Sequence, residues 1–383
     1  MMKLSALRLL ALCLFIVIAG CRKDKYTEPE PPVVAKTDTL ISGPTPDSLS
    51  LNTVFKSLDI QSILVNPSAQ PISFYSLAKG REINGTRPTL HLASSGWTHP
   101  SVQFFEKPWN GYHYWAALTP YPGTDSQYEN PHIFCSNDGR TWIEPKGILN
   151  PIEPCPPDIG FNSDVDLLLD KNILYCYWRL TAKDSRSIYV KKSSDGINWS
   201  EKILVCKMPY GVVDVISPSF SFLKSDGKYY CYAVCGPESE PGNYFNKYSI
   251  RRMSSSDPLN FNPEKGKGFD LVSISGRPWG NNQEPWHLEV RKMRNLWMML
   301  VTTTNLNGYG SGGRLFMGYS SDGINFSFGR APIGTFTGST YKSSFNPRYN
   351  HITKKIHVEM WRAVMSYGWA VFYDKFIVNA QEQ

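Results

Sequence analysis

The sequence lacks several features that would place it in a familiar functional class. Its 383 residues carry 40 Lys and Arg against 33 Asp and Glu, and this excess of +7 includes no basic run with interleaved aromatic residues. The chain is therefore not expected to bind nucleic acid. No His and Cys spacing is typical of a zinc site, and no loop has the ligand spacing of a calcium site. We accordingly expect neither a metal nor a cofactor.

Long apolar runs are scarce, and the one that stands out is at the N-terminus. Lys3 precedes an apolar region that ends at Ile18, and the small residues Ala19 and Gly20 stand immediately before Cys21. This arrangement resembles a bacterial lipoprotein signal, which predicts a signal peptide over 1–20 and a lipid on Cys21. The protein should then reside in the bacterial cell envelope at the outer membrane, and contact the membrane through this lipid only.

Convincing amphipathic helices are also missing, whereas aromatic and turn-forming residues are abundant. Aromatic residues make up 13% of the chain, which also contains 29 Gly and 28 Pro. This composition favours an all-β protein. Residues 21–46 are polar and rich in proline, which predicts a flexible tether. Residues 47–90 are interpreted as a lead-in segment packed on the domain, and short β-like runs follow one another over 91–383.

A turn motif recurs along this domain. The sequence around Asp138-Gly139 is repeated around Asp195-Gly196 and Asp322-Gly323, with a degenerate copy at Asp257-Pro258. Asp-Gly favours the positive φ of a tight hairpin turn, and the aromatic residue that follows can anchor the hairpin in the core. These motifs resemble the Asp-boxes of sialidases and other propellers, and they predict structural turns rather than catalytic ones.

A second feature, a short polar segment followed by an aromatic and apolar strand, occurs five times. The segments span 98–102, 163–167, 216–220, 286–290 and 341–345. If each segment is the first strand of a four-stranded unit, five units around one axis form a five-bladed β-propeller. The first strands line the central channel, so their polar ends should converge on one mouth. The mouth is the predicted ligand site.

This plan resembles the five-bladed glycoside hydrolases of families 43 and 32, over roughly residues 90–383. The resemblance implies a glycan-cleaving enzyme that uses two carboxyl groups, with an inverting mechanism favoured. Asp164 or Asp166 matches the family 43 aspartate of the second blade. However, His99-Pro100 and Ser217-Pro218 stand where that family has Asp-Pro and Glu-Gly-Pro. The chain therefore resembles a divergent relative of family 43 rather than a member of family 43 itself.

Carboxylates and histidines at the mouth are the predicted catalytic residues. Asp164 begins the second inner strand, Glu129 opens the third strand of blade one, and Glu289 is in phase with His287 on the fourth inner strand. One carboxyl should be an acid whose pKa is raised by burial or by a like charge, and a second should stay ionised as the base. His99 and His287 would position the substrate or tune the pair.

Nine further residues are predicted to bind the substrate. Aromatic side chains at the mouth could stack on sugar rings, and the two arginines could recognise an acidic sugar or a sulfate by bidentate contacts. The set comprises Asp166, Trp286, Tyr121, Tyr128, Ser217, Tyr341, Lys342, Arg186 and Arg314.

The sequence thus favours an exported, lipid-anchored and monomeric glycosidase acting on a polysaccharide or oligosaccharide. The main alternative is a glycan-binding lipoprotein that keeps the fold without catalysis, and a protein-interaction propeller is a third hypothesis. Two carboxyl groups ~5–10 Å apart across an open pocket would support hydrolysis. One isolated carboxylate among aromatic residues would support binding.

Overall fold

The structure is a computed structural model. It describes residues 54–61, 63, 65, 70–157, 160–183, 185–209, 219–236, 248–261, 270–306, 311–334, 338–366 and 368–382. The predicted signal peptide, Cys21, the tether and Ser217 lie outside these ranges. Within the described ranges, no helix is long and apolar enough to cross a membrane.

The described residues form a five-bladed β-propeller, which confirms the predicted fold class. Three strands precede the first complete inner strand: β1 (Phe55–Asp59), β2 (Ser76–Lys79) and β3 (Thr89–Leu92). Blade one contains β4 (Trp97–Trp109), β5 (Tyr112–Pro120) and β6 (His132–Ser136). Blade two contains β7 (Gly160–Asp170), β8 (Ile173–Ala182), β9 (Ser185–Ser193) and β10 (Ile203–Pro209).

The other three blades likewise consist mainly of antiparallel strands. Blade three contains β11 (Phe220–Ser225), β12 (Lys228–Cys235), β13 (Ser249–Ser255) and β14 (Asp270–Leu271). Blade four contains β15 (Ser273–Ser275), β16 (Gln283–Met293), β17 (Leu296–Asn305), β18 (Leu315–Ser320) and β19 (Asn325–Phe328). Blade five contains β20 (Ser339–Asn350), β21 (Lys355–Met365) and β22 (Trp369–Glu382), together with β1. In each blade, apolar side chains pack against the neighbouring blade.

The ring is closed by pairing the N-terminal strand with the last one. β1 runs antiparallel to β22, with Phe55 opposite Glu382 and Asp59 opposite Asn379. Phe55 is buried and packs edge-on against Tyr349, with ring centroids 4.9 Å apart. Within the segment interpreted as a lead-in, residues 55–59 therefore supply the outer strand of blade five.

The Asp-box turns join neighbouring blades. The Asp138 carboxylate accepts the backbone N–H groups of Arg140 and Thr141 at 2.8 and 2.7 Å, and Asp195 and Asp322 hold their turns in the same way. The Trp361 indole of blade five donates to the Gly139 carbonyl at 2.7 Å. These contacts give the boxes a structural role.

Gly196 is the box residue for which substitution should be most disruptive. Its φ is +77°, and a Cβ there would lie 2.2 Å from the Trp115 ring of blade one. Gly227 has the same φ of +77° but no atom within 4 Å of a built Cβ. Gly227→Ala should therefore lower the unfolding free energy by about 1–2 kcal/mol through backbone strain alone. Gly196→Ala should lower it by a further ~1–3 kcal/mol through overpacking.

Urea denaturation of both variants measures this difference, provided that the denaturant dependence of the unfolding free energy is unchanged. Equal losses in the two variants would contradict the role assigned to the contact with Trp115.

Serines on the inner strands form hydrogen bonds between blades around the axis. Ser101 accepts the N–H of Leu167 at 3.0 Å, and Ser344 accepts the N–H of Val102 at 2.9 Å. Ser221 likewise accepts the N–H of Val290 at 3.1 Å. Some of the polar residues of the inner strands therefore stabilise the ring by joining its blades.

Candidate active site

The mouth ends of the inner strands are irregular in blades one, two, four and five. The register with the second strand shifts between Thr98 and Ser101, Ser163 and Asp166, Pro285 and His287, and Thr340 and Ser343. His99 and Asp164 lie in two of these bulges with φ values of 52° and 51°. Aspartate and histidine enter this left-handed region more readily than most residues. Bulges and backbone strain are concentrated at functional sites, where they redirect side chains.

Three buried side chains converge at this point, and we call them the His–Asp–His cluster: His99, Asp164 and His287. Asp164 Oδ1 lies 3.5 Å from His99 Nε2 and 3.2 Å from His287 Nδ1. One ligand atom from each residue lies within 4.8 Å of the others. The three residues come from blades one, two and four, so the cluster lies at the propeller axis.

Two neighbouring side chains orient the cluster. Arg179, on β8, donates to Asp164 Oδ2 at 2.6 Å and to Ser163 Oγ at 3.1 Å, which leaves Oδ1 facing the histidines. The Thr119 hydroxyl shares a 2.7 Å hydrogen bond with His99 Nδ1, so the Nε2 atom faces Asp164. Such outer contacts are typical of metal ligands because they hold the ligand's orientation.

The donor set fits a divalent transition metal. Two imidazoles and a carboxylate are ligands suited to such a cation. Burial lowers the pKa of His99 to about 3 and also lowers that of His287, so both imidazoles are neutral. Burial favours protonation of Asp164, but Arg179 and His99 hold its pKa well below the usual range. Neutral histidines and an ionised aspartate are the protonation states that metal binding requires.

The expectation that no metal is bound rested on local spacing, which could not show this cluster. Its members lie far apart in the sequence, and only closure of the propeller brings them together.

Glu129 lies beside the cluster. It precedes β6, is 4% exposed, and its Oε1 atom is 3.7 Å from His99 Nδ1. Its carbonyl accepts the N–H of Asn162 at 3.1 Å, which ties it to blade two. Burial, and then the charge of Asp164, raise the pKa of Glu129 well above its usual range, and Arg179 opposes them. Glu129 and Asp164 therefore have opposite pKa shifts, the pattern expected of an acid and base pair.

Aromatic side chains surround the cluster. The Tyr341 ring centroid lies 4.0 Å from that of His287 and 4.6 Å from that of Trp369. Trp286 lies 6.0 Å from His287, and Tyr121 lies 5.9 Å from Trp369. Tyr121, Trp286 and Tyr341 are half-buried and can offer a ring face to a sugar. Burial raises the pKa of Tyr341, so its hydroxyl stays a neutral donor.

Three of the predicted site residues, Asp166, Glu289 and Lys342, instead contact one another's blades near the axis. Together with Arg291 they form what we call the axial network. Asp166 accepts the N–H of Phe222 at 2.6 Å and the Ser101 hydroxyl at 2.9 Å. Glu289 pairs with Arg291, and Lys342 donates to the Val165 carbonyl. Asp166, Glu289 and Lys342 are fully buried. Asp166 and Glu289 each lie two residues beyond a cluster member on the same strand, and Lys342 follows Tyr341 on β20. Glu289 also accepts the Ser344 hydroxyl of blade five at 2.8 Å, so the structure places this predicted catalytic residue in a bridge between blades four and five.

The remaining predicted residues have different locations. Tyr128 is 8% exposed, which is too little to offer a ring face to a sugar. Arg186 is half-buried on β9, and Arg314 is exposed just before β18. Sequence reasoning missed Arg179, Thr119 and Trp369. Arg179 had a detectable signal, because it is a charged residue within the otherwise aromatic and apolar strand β8.

Glu289 should make stability depend on pH. Burial raises its pKa to about 7, and Asp166 raises it further while Arg291 opposes the shift. The folded protein therefore holds the Glu289 proton more tightly than the unfolded chain does. This contribution to stability is fully present below the unfolded pKa of ~4.3 and is lost as the pH rises through 7. Glutamine does not titrate. Between low and high pH, the unfolding free energy of Glu289→Gln should therefore decrease less than that of the wild type, by up to about 3 kcal/mol.

Urea denaturation of both proteins at pH 4.5 and pH 8 measures this difference. Parallel pH dependences in wild type and variant would contradict the prediction.

Comparisons with known proteins show what the chain is similar to. No family model matches it. It is 38% identical over 118 residues to an A type blood N-acetyl-α-D-galactosamine deacetylase from Flavonifractor plautii. The match covers 29% of this chain and 15% of that protein, so the chain spans only a small part of this curated relative.

Solved structures show the fold. The crystal structure of an N-acetylgalactosamine deacetylase from F. plautii, in complex with blood group B trisaccharide, superposes with a TM-score of 0.63 at 20% identity. The superposition covers 83% of this chain and 95% of that one. A xylan β-1,4-xylosidase from Bacillus halodurans C-125 superposes with a TM-score of 0.50 at 13% identity, covering 75% and 53% of the two chains. These likenesses confirm, for the fold, the resemblance to five-bladed glycoside hydrolases.

Proposed function

We propose that this protein is a carbohydrate-active hydrolase that removes an N-acetyl group from an amino sugar within a glycan. The observation that carries the proposal is the His–Asp–His cluster beside the buried Glu129. A metal-ligand set next to a single carboxyl of raised pKa suits hydrolysis of an amide bond. The similarity to a deacetylase supports the choice of bond.

The cellular location is part of the same proposal. The apolar N-terminus and Cys21 support an exported protein that is anchored by one lipid in the cell envelope. The carbohydrate is its proposed partner, and we propose that it acts as a monomer.

Glu129 would move the proton in this reaction. A divalent cation held by His99, Asp164 and His287 would polarise the acyl carbonyl and acidify a water. Glu129 accepts a proton from the attacking water as the new C–O bond forms. It then donates that proton to the nitrogen as the C–N bond breaks, so acetate and a free amine leave. The positive charge of a bound cation would favour the ionised form of Glu129 that accepts the proton, and burial favours the protonated form that returns it to the nitrogen.

The surrounding residues support this chemistry. Arg179 keeps Asp164 ionised and oriented through its 2.6 Å contact. The neutral hydroxyl of Tyr341 can donate a hydrogen bond to an oxygen that gains negative charge at the mouth. Trp286 and Tyr121 flank the cluster and can stack on the sugar rings.

Hydrolysis of a glycosidic bond is the second candidate. The opposite pKa shifts of Glu129 and Asp164 favour it, because a protonated Glu129 could act as acid and an ionised Asp164 as base. In that reaction we propose the inverting outcome that the resemblance to the five-bladed glycoside hydrolases implies. Binding of a glycan without catalysis is the remaining alternative.

One assay separates these functions. Purified protein is incubated with glycans that contain N-acetylated amino sugars, and acetate and new reducing ends are both measured, with and without a chelator. Acetate release that EDTA abolishes and Zn²⁺ or Mn²⁺ restores supports the proposal. New reducing ends without acetate, unaffected by EDTA, would support a glycosidase. Glycan binding without either product would support a binding protein.

A further inference from the structure

A groove of about 520 Å³ opens on blade five, away from the mouth. Tyr341 marks the mouth on the inner strand β20, and Arg348 lies seven residues further along the same strand, ~23 Å away at the rise of a β-strand. The groove is therefore separate from the His–Asp–His cluster. It is lined by Arg348, His357, Val358, Glu359, Lys375, Phe376 and Ile377.

The one carboxylate in this lining is already saturated. Glu359 is 3% exposed and accepts hydrogen bonds from Tyr114 at 2.9 Å, from Arg348 at 2.7 Å and from Tyr373. Lys375 lies 3.5 Å away on the exposed side. Glu359 thus balances one positive charge and offers no free oxygen to a ligand, so a positive excess remains.

The cations of the groove are accessible and partly held in place. The Arg348 side chain is 35% exposed and stacks over the Phe104 ring at 4.5 Å, and the Lys375 side chain is 58% exposed. Burial, and then the charges of Arg348, Lys355 and Lys375, lower the pKa of His357. Three positive charges therefore act on His357.

An apolar side chain lies among these cations. Ile377 is 46% exposed and pairs with His357 across β21 and β22. An exposed aliphatic surface beside two cations suits a ligand that carries both an oxyanion and an apolar ring face.

We propose that this groove binds an acidic glycan, with a sulfate or carboxylate group between Lys375 and His357 and a sugar ring on Ile377. The oxyanion is inferred from the charges of the groove alone. The choice of a glycan as its carrier rests on the proposed carbohydrate function. The groove would hold a chain near the enzyme while another part of the chain reaches the mouth.

The test measures binding without turnover. Full-length protein carrying Glu129→Gln is titrated with sulfated dextran oligosaccharide and with neutral dextran of the same length, by calorimetry at low and high salt. We expect the sulfated chain to bind, the neutral chain not to bind at the groove, and added salt to weaken the interaction. Adding Lys375→Gln and His357→Gln should weaken binding about tenfold, as expected from loss of charge-assisted hydrogen bonds.

Lys228→Gln is the matched control, because Lys228 is an exposed lysine at the start of β12 in blade three. It should bind the sulfated chain like the parent. Equal binding by the double variant, or an equal loss in Lys228→Gln, would overturn the proposal. NMR titration of the His357 ring gives a second readout, since a bound anion should raise its pKa.

Further ligands identify the chemistry. Polygalacturonate binding would assign a carboxylate to the site, and preference for sulfated dextran would assign a sulfate. Inorganic sulfate or poly-glutamate binding as tightly as the oligosaccharide would contradict a glycan ligand. Because none of these measurements depends on turnover, failure of the proposed deacetylase activity leaves their outcome unchanged, and failure of the groove leaves that activity unchanged.

Discussion

Replacing Glu129 by glutamine is expected to lower kcat by ~10²–10⁴-fold, the contribution typical of a general acid or base. The amide cannot accept a proton from water, although it has nearly the same shape as the carboxyl. Because burial already disfavours the charged form of Glu129, the neutral amide should not lower the unfolding free energy. Steady-state kinetics on the glycan that releases acetate, together with urea denaturation, measure both quantities.

Glu153→Gln is the matched control for this variant. Glu153 is 8% exposed and pairs with Lys191 at 2.9 Å and Lys202 at 2.7 Å on blade two. Its replacement should leave kcat unchanged. If Glu129→Gln retains near-full turnover, Glu129 does not carry the proton and the proposed site is incorrect.

Replacing Asp164 by asparagine is expected to abolish tight binding of Zn²⁺ or Mn²⁺ and to reduce turnover by ~10²-fold or more, since it removes the anionic ligand. Asparagine tolerates the left-handed backbone at this position as well as aspartate does, so no new strain is added. Calorimetric titration of the chelator-treated protein with each cation measures the affinity directly, independently of activity.

Asp166→Asn tests whether the effect is specific to the cluster. Asp166 lies two residues after Asp164 on the same strand, but its carboxylate accepts the Phe222 N–H and the Ser101 hydroxyl inside the axial network. Its replacement should lower the unfolding free energy by ~1–3 kcal/mol and leave the metal affinity unchanged. Equal metal affinity in Asp164→Asn and wild type would exclude the His–Asp–His cluster as the metal site.

Much of the candidate site was predictable because propeller repeats are visible in a sequence. The polar segments before each aromatic strand predicted that His99, Asp164, His287 and Tyr341 lie at one mouth, and the structure brings them together. Glu129 was predicted from its position at the start of a third strand. Each of these predictions follows from a local pattern of two to seven residues, repeated at intervals of about 60 residues.

Depth within the channel was not predictable in the same way. In an ideal strand, Asp164 and Asp166 would lie on the same face, and so would His287 and Glu289. In the structure, the two members of each pair nevertheless have different surroundings. A bulge at each mouth turns the first residue of the pair toward the cluster, and the second residue lies in the axial network. A bulge shifts the register through a single residue, and the sequence carries no clear signal for it.

The sequence by itself determined the class of fold, the number of blades and the turns that join their outer strands. These properties depend on short-range chemistry: the positive φ of Asp-Gly, the alternation of a strand, and the burial of the aromatic residue that follows each turn. Only the tertiary structure decided that β1 closes blade five and that His99, Asp164 and His287 form one cluster with the geometry of a metal-ligand set. Both depend on atoms far apart along the chain, which approach one another only when the ring closes.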